Sequence, residues 1–187
     1  MKKIPTLFNR NWEGDHKVMP TVYPGCEWVL AGEGVATRKL DGTCCIIRDG
    51  KLYKRQECRE GAPLPNGFEE VDLYKETGKL VGWCPVGDGK EDKWYREGFA
   101  NLDNKLNGTY ELVGPKVQGN PELYVVHTLV PHTVECLCLT DDVPRDFEGL
   151  KIYLDHEDLE GIVFHHPDGR RAKIKKRDFG LRRRLLR

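Results

Sequence analysis

Lys39 stands two residues before Asp41-Gly42 in the stretch Val35-Ala-Thr-Arg-Lys-Leu-Asp-Gly-Thr-Cys-Cys45, with apolar residues on both sides. A lysine so placed is either an ordinary residue beside a turn or a nucleophile at the floor of a nucleotide pocket. Three further segments set charge inside or at the end of an apolar run: Tyr110-Glu-Leu-Val-Gly114, Leu159-Glu-Gly-Ile-Val-Phe164 and Ala172-Lys-Ile-Lys175. Charge within a buried strand is costly unless it is paired or faces a ligand. Strand alternation puts Lys173 and Lys175 on one face and Ile174 on the other. Two ammonium groups side by side ask for an anion. Asp41, Glu111 and Glu160 supply carboxylates. Basic groups and carboxylates converging on one face would suit a nucleoside triphosphate and a divalent metal.

The elements that must position these residues are mostly strands. Residues 1–26 read as a lead-in with one short strand, and Glu27–Leu30 and Val35–Lys39 as strands. Thr43–Arg48 and Lys51–Arg55 form the clearest hairpin, because Asp49-Gly50 is a pair that tolerates positive φ in a two-residue turn. Residues 59–78, rich in glycine and proline, read as a loop, and Leu80–Val86 as a strand ending near Pro85. Tyr95, Phe99, Leu102 and Leu106 recur at three or four residues and predict a helix over Glu91–Leu106. Thr109–Val113, Leu123–Leu129 and Thr133–Leu139 read as strands, and Asp146–Leu154 as a second helix. Gly161–His165 and Arg171–Lys175 pair around Pro167-Asp-Gly169. Arg177–Arg187 suits a short amphipathic helix. The class is α+β with mainly antiparallel sheets.

A length of 187 residues predicts one domain with a sizeable core. No apolar run approaches the roughly 18–20 residues of a membrane span, and the start lacks a signal-peptide core. Seven cysteines without a Cys-x-x-Cys pair predict buried thiols in a reducing, cytoplasmic setting. No ligand spacing supports a structural zinc site. The zero net charge conceals an asymmetry: residues 170–187 hold ten Lys or Arg against one acid, Asp178, leaving the other residues net negative by nine. A basic end of this kind suits either a polyanion contact or a solvated helix face. His165-His166 and Asp155-His-Glu-Asp158 lack helical ligand spacing and read as solvated loop residues.

In order, the four charged segments resemble motifs I, III, IV and V of the covalent nucleotidyltransferases, the group of RNA ligases, DNA ligases and mRNA capping enzymes. The text Ala36-Thr-Arg-Lys-Leu-Asp-Gly-Thr-Cys-Cys45, with Gly82-Trp-Cys-Pro-Val86 and Glu111-Leu-Val-Gly-Pro-Lys-Val-Gln-Gly-Asn-Pro121, is most similar to the eukaryotic and viral ATP-dependent 5′-to-3′ RNA ligases of the vertebrate type. The resemblance spans roughly residues 33–176. It implies a single adenylyltransferase domain over residues 1–187, ATP-grasp-like, of two mainly antiparallel sheets with flanking helices. The basic tail is expected at 177–187, and with twelve residues after Lys175 the expectation is a domain without the OB domain that DNA ligases and capping enzymes usually carry.

The resemblance also implies roles. Lys39 would attack the α-phosphate of ATP, and Lys173 and Lys175 would neutralise that phosphate and disfavour the ammonium form of Lys39. Asp41 and Glu160 would hold Mg²⁺ or Mn²⁺. Arg55 would meet nucleotide or RNA phosphate, Glu111 the ribose hydroxyls, and His127 the adenine, with Tyr124 as a competitor. Arg182-Arg-Arg184 and Arg187 would face RNA. Arg38 stands where related ligases often carry an acidic or neutral residue. The expected activity is joining of RNA 5′-phosphate and 3′-hydroxyl ends through a lysine–AMP intermediate. The alternatives are a GTP-using capping guanylyltransferase and a non-catalytic nucleotide- or RNA-binding module.

Overall fold

The computed structural model describes residues 2–74, 77–140 and 142–183. The first elements in chain order are β1 (Phe8–Arg10), β2 (Val18–Val22), α1 (Glu27–Leu30), β3 (Val35–Lys39), β4 (Thr43–Arg48), β5 (Lys51–Arg59), β6 (Glu69–Tyr74) and β7 (Lys79–Pro85). After them come α2 (Lys93–Ala100), β8 (Gly108–Val113), β9 (Thr128–Pro131), α3 (Val134–Leu137), α4 (Phe147–His156), β10 (Gly161–His165) and β11 (Arg171–Lys175). Every named strand pairing is antiparallel. The class is α+β, as the strand-rich pattern predicts. No helix among the described residues is long and apolar enough to cross a membrane.

Packing divides the chain into two units, Met1–Lys3 with Asp41–His132, and Ile4–Leu40 with Thr133–Arg187. The first unit is built on a six-stranded sheet of order β6-β7-β5-β4-β8-β9. Cys45, Ile47, Tyr110, Leu112 and Leu129 form its apolar core, against which Tyr95 and Phe99 of α2 pack. The β4–β5 hairpin turns as its sequence predicts, with φ of 49° at Asp49 and 72° at Gly50.

The second unit carries the three-stranded sheet β11-β10-β3 and the β1–β2 ribbon. Ile162 and Ile174 point from the sheet into a core shared with Leu150 and Leu154 of α4. Asp146 caps α4 by accepting from the Gly149 N–H at 2.9 Å. Phe8, Phe147 and Phe179 add edge-to-face contacts, Phe147 lying 5.0 Å from Phe8 and 5.1 Å from Phe179 by ring centroids.

Several elements depart from the sequence expectation for identifiable reasons. Glu27–Leu30 is the helix α1, not a strand: the Glu27 carboxylate folds back to accept from the Gly25 N–H at 2.9 Å, starting a helical turn that buries Trp28 and Val29. Thr133–Leu139 likewise contains the helix α3. Four-residue runs with three apolar members fit either period; α1 buries Trp28 and Val29, whereas α3 has no buried residue. The expected loop at 59–78 contains β6, which pairs with β7 through a register shift between Glu70 and Asp72. The helix predicted over Glu91–Leu106 is shortened to Lys93–Ala100 behind a 3₁₀ turn, and Leu106 is exposed. The strand in 123–129 begins only at Thr128. The lead-in holds two strands, not one. At the C-terminal end, Lys176–Phe179 is a 3₁₀ turn closed by Gly180 at φ 78°. The expected helix continues into 184–187, so Arg184 and Arg187 lie outside the described residues.

Candidate functional site

In the second unit the sheet register places two of the chemically singled-out positions, Lys39 and Lys175, in one row. Gly161 pairs with Lys39 on one side and Lys175 on the other. Gly161 therefore separates two lysines without putting a side chain between them. It has no room for one: a Cβ would lie 2.3 Å from the Ile174 carbonyl oxygen and 3.0 Å from Lys175 Cγ. Glu160, just before it, carries its carboxylate to both lysines. Oε2 accepts from Lys39 Nζ, and Oε1 lies 3.9 Å from Lys175 Nζ. Lys39 Nζ also donates to the Leu40 carbonyl at 3.3 Å.

Lys175 is the most buried of these cations, 7% exposed. Desolvation pulls its ammonium pKa down to about 8, against the opposing pull of Glu160 and Asp178 and with help from the positive charge of Arg177 and Lys39. Its backbone N–H donates to Asp178 Oδ2 at 2.9 Å, and Asp178 also takes Arg10 at 2.5 Å. Asp178 is 1% exposed, so the end of β11 is fixed by a buried, fully bonded carboxylate. Lys173, two residues along β11, shares the face of Lys175 and is half-buried; its backbone bonds to Pro5 and Leu7. Arg38 belongs to the opposite row, paired with Ile162, and donates to the Asp158 carbonyl at 2.9 Å. The residue before Lys39 thus points to the other side of the sheet. Arg183 of the basic tail is not a solvated charge either, since it pairs with Asp158 at 2.9 Å.

In the first unit Gly42 approaches β8 so closely that a Cβ would lie 2.3 Å from the Leu112 carbonyl oxygen. The glycine of Lys39-x-Asp41-Gly42 is thus required by proximity. Its N–H donates to Glu111 Oε1 at 3.2 Å, while the Asp41 N–H donates to Glu122 Oε1 at 2.9 Å. Glu111 is 8% exposed; its Oε2 lies 2.9 Å from His132 Nε2, and Cys44 is its direct partner across β4 and β8. Arg55, on β5, donates to the Tyr74 hydroxyl at 2.5 Å.

His127 is buried and built into the fold. Trp94 stacks on its ring at 4.6 Å with planes 21° apart. Its Nε2 accepts from the Lys116 N–H at 3.3 Å, which leaves the proton on Nδ1 to bond Glu97 at 2.9 Å. A Cβ on Gly114, at φ 146°, would lie 2.6 Å from His127 Cδ2. The ring therefore ties down the turn that follows Glu111.

Sequence reasoning singled out Lys39, Glu160 and Lys175; the register brings the two lysines together, and the Glu160 carboxylate reaches both. It did not single out His132, Glu122 or Asp178. His132 and Glu122 are lone residues in irregular segments, and no local pattern marks them. Asp178 carried a signal, as the sole acid among ten cations.

No protein-family model matches this chain. It is similar to curated proteins named RNA ligase 1: at 25% identity to the one from Rattus norvegicus, 24% to that from Pongo abelii and 24% to that from Danio rerio. Each comparison covers 79% of this chain and 67% of the relative. These identities describe a distant, RNA-ligase-type relationship.

Proposed function

We propose that the chain is an ATP-dependent RNA ligase that works through a lysine–AMP intermediate. The observation that carries this reading is the cluster of Lys39, Glu160 and Lys175. One strand lysine is held at a carboxylate beside a second, desolvated lysine whose pKa is depressed to about 8.

An ammonium has no lone pair, so Lys39 must lose a proton before it attacks. The Glu160 carboxylate at Nζ favours the ammonium, while the charges of Lys175 and Lys173 favour the neutral amine; a cation held by Glu160 would remove the first effect and add to the second. The Lys39 Nζ lone pair then forms a bond to the α-phosphorus of ATP while the bond to the bridging oxygen breaks and pyrophosphate leaves. Lys175 and Lys173 neutralise the non-bridging oxygens as their charge grows. AMP passes next to the RNA 5′-phosphate and is released when the 3′-hydroxyl attacks.

Glu160 offers both carboxylate oxygens and fits a hard cation; Asp41 is a second candidate in its own unit. A bound Mg²⁺ would neutralise phosphate charge. Glu111 is assigned to the ribose hydroxyls and Arg55 to a phosphate. His127, with one face on Trp94 and both nitrogens bonded, is assigned to holding the 114–116 turn. A base would reach it only by displacing its packing.

The test is incubation with Mg²⁺ and α-labelled ATP or GTP, followed by acid precipitation. Label from ATP that is absent in Lys39→Ala supports the ligase reading. Label from GTP alone would favour capping chemistry, and no label from either nucleotide would refute the covalent mechanism. Parallel assays with 5′-phosphorylated RNA and DNA identify the polymer.

A further inference from the structure

We propose that Cys44, Glu111 and His132 form a site for a thiophilic divalent cation, zinc in the first instance. Their potential ligand atoms all lie within 4.8 Å of one another. The sheet brings them together from distant sequence positions. Cys44 and Glu111 are direct partners across β4 and β8. His132 follows β9, and its N–H donates to the Thr109 carbonyl at 3.0 Å, which fixes it beside the same row.

The donor set has the chemistry of zinc. A thiolate, an imidazole and a carboxylate bind it at about 2.3, 2.0 and 2.1 Å, and those lengths place neighbouring ligands roughly 3–4 Å apart. The Glu111–His132 contact of 2.9 Å closes one side of that triangle. Sulfur disfavours magnesium, which prefers oxygen. Thiolate and carboxylate together neutralise the two charges of zinc. Binding releases the Cys44 thiol proton to solvent, and the proton that His132 Nε2 donates to Glu111 transfers through solvent to Nδ1, so that Nε2 coordinates. Gly42 N–H, on Glu111 Oε1, orients the carboxylate and leaves Oε2 for the metal. Three protein ligands leave a fourth position for water, as in zinc sites that are open to exchange.

The site shares Glu111 with the ribose contact assigned above, and that part of the inference rests on the ligase reading. Zinc on Glu111 removes an acceptor from the nucleoside, so zinc and nucleotide exclude each other.

The experiment is a titration of the metal-free protein with Co²⁺ in the absence of nucleotide. The expected result is a thiolate-to-cobalt charge-transfer band that saturates at one equivalent and is removed by Zn²⁺. Cys44→Ser should abolish the band, and His132→Ala should weaken binding by more than about tenfold. A Cys136→Ser/Cys138→Ser variant should keep it, since both thiols are exposed and elsewhere in the chain. No band, a band that survives Cys44→Ser in a variant with wild-type circular dichroism, or a band lost with Cys136 and Cys138 would overturn the site. The ligase reading is judged separately, by labelling from ATP under Mg²⁺ alone. If labelling occurs and micromolar Zn²⁺ inhibits the wild type but not Cys44→Ser, the exclusion holds; equal inhibition of both refutes it.

Discussion

Replacing Lys175 by Met keeps the length of the side chain and removes its charge, which isolates what burial of that ammonium costs. In the folded protein its pKa falls from 10.5 to about 8. The unfolded chain therefore holds a proton on this lysine between about pH 8 and about pH 10.5 that the folded chain has released. Stability rises with pH wherever the unfolded state binds more protons. Below about pH 8 the folded state bears the full cost of the desolvated ammonium; as pH rises through that value the cost is progressively relieved. At about 1.4 kcal/mol per pH unit, the whole relief amounts to about 3 kcal/mol by the top of the window. The Met variant has no such group. Urea unfolding of both proteins across this range, with the same spectroscopic probe, should show the wild type gaining on the variant by about 1 kcal/mol per pH unit. Lysines, tyrosines and thiols remote from Lys175 titrate alike in both proteins and cancel in the difference. A stability difference that stays flat from about pH 7 to about pH 10 would refute a depressed Lys175 pKa, and with it the claim that this cation acts from a desolvated position.

Glu160→Gln removes the charge shared by Lys39 and Lys175 while keeping its size, and labelling from α-labelled ATP should fall about 100-fold or more; wild-type labelling would exclude Glu160 from the chemistry. Gly161→Ala puts a methyl 2.3 Å from the Ile174 carbonyl oxygen, and denaturant unfolding should show a loss of about 1–3 kcal/mol. Asp178→Ala strands Arg10 and the Lys175 N–H around a site 1% exposed. A loss of about 3–5 kcal/mol is expected, read from the midpoint of chemical unfolding.

Legibility of the chain followed the range of the forces involved. The hairpins at Asp49-Gly50 and Asp168-Gly169 were readable because turn residues act locally, and α4 because its stripe of Phe147, Leu150 and Leu154 has one period. The charged strands were readable because a lysine or glutamate in an apolar run needs a reason to be there. Short runs were misread at Glu27–Leu30 and Thr133–Leu139, where so few residues carry no period that separates helix from strand. The glycines at 42 and 161 were visible as parts of motifs, yet their physical requirement, a neighbouring carbonyl at 2.3 Å, is a property of sheet register. Metal-ligand spacing was equally blind to Cys44, Glu111 and His132. Zinc motifs are read from ligands close in sequence, whereas these three meet only after β4, β8 and β9 have paired.

The chain ahead of β1 has a further consequence for how the protein behaves in concentrated solution. Lys173 N–H donates to the Pro5 carbonyl at 2.9 Å, and Leu7 N–H donates to the Lys173 carbonyl at 2.8 Å. On the far side of the same sheet, Leu139 N–H donates to the Ala36 carbonyl at 2.9 Å. Both outer strands of the sheet that carries the lysines are thus engaged, where a bare strand would offer a template for another chain to add to. Removing the residues before Phe8 would uncover β11 and take the fully buried Leu7 out of the core, so such a truncation invites self-association through that strand as well as loss of fold.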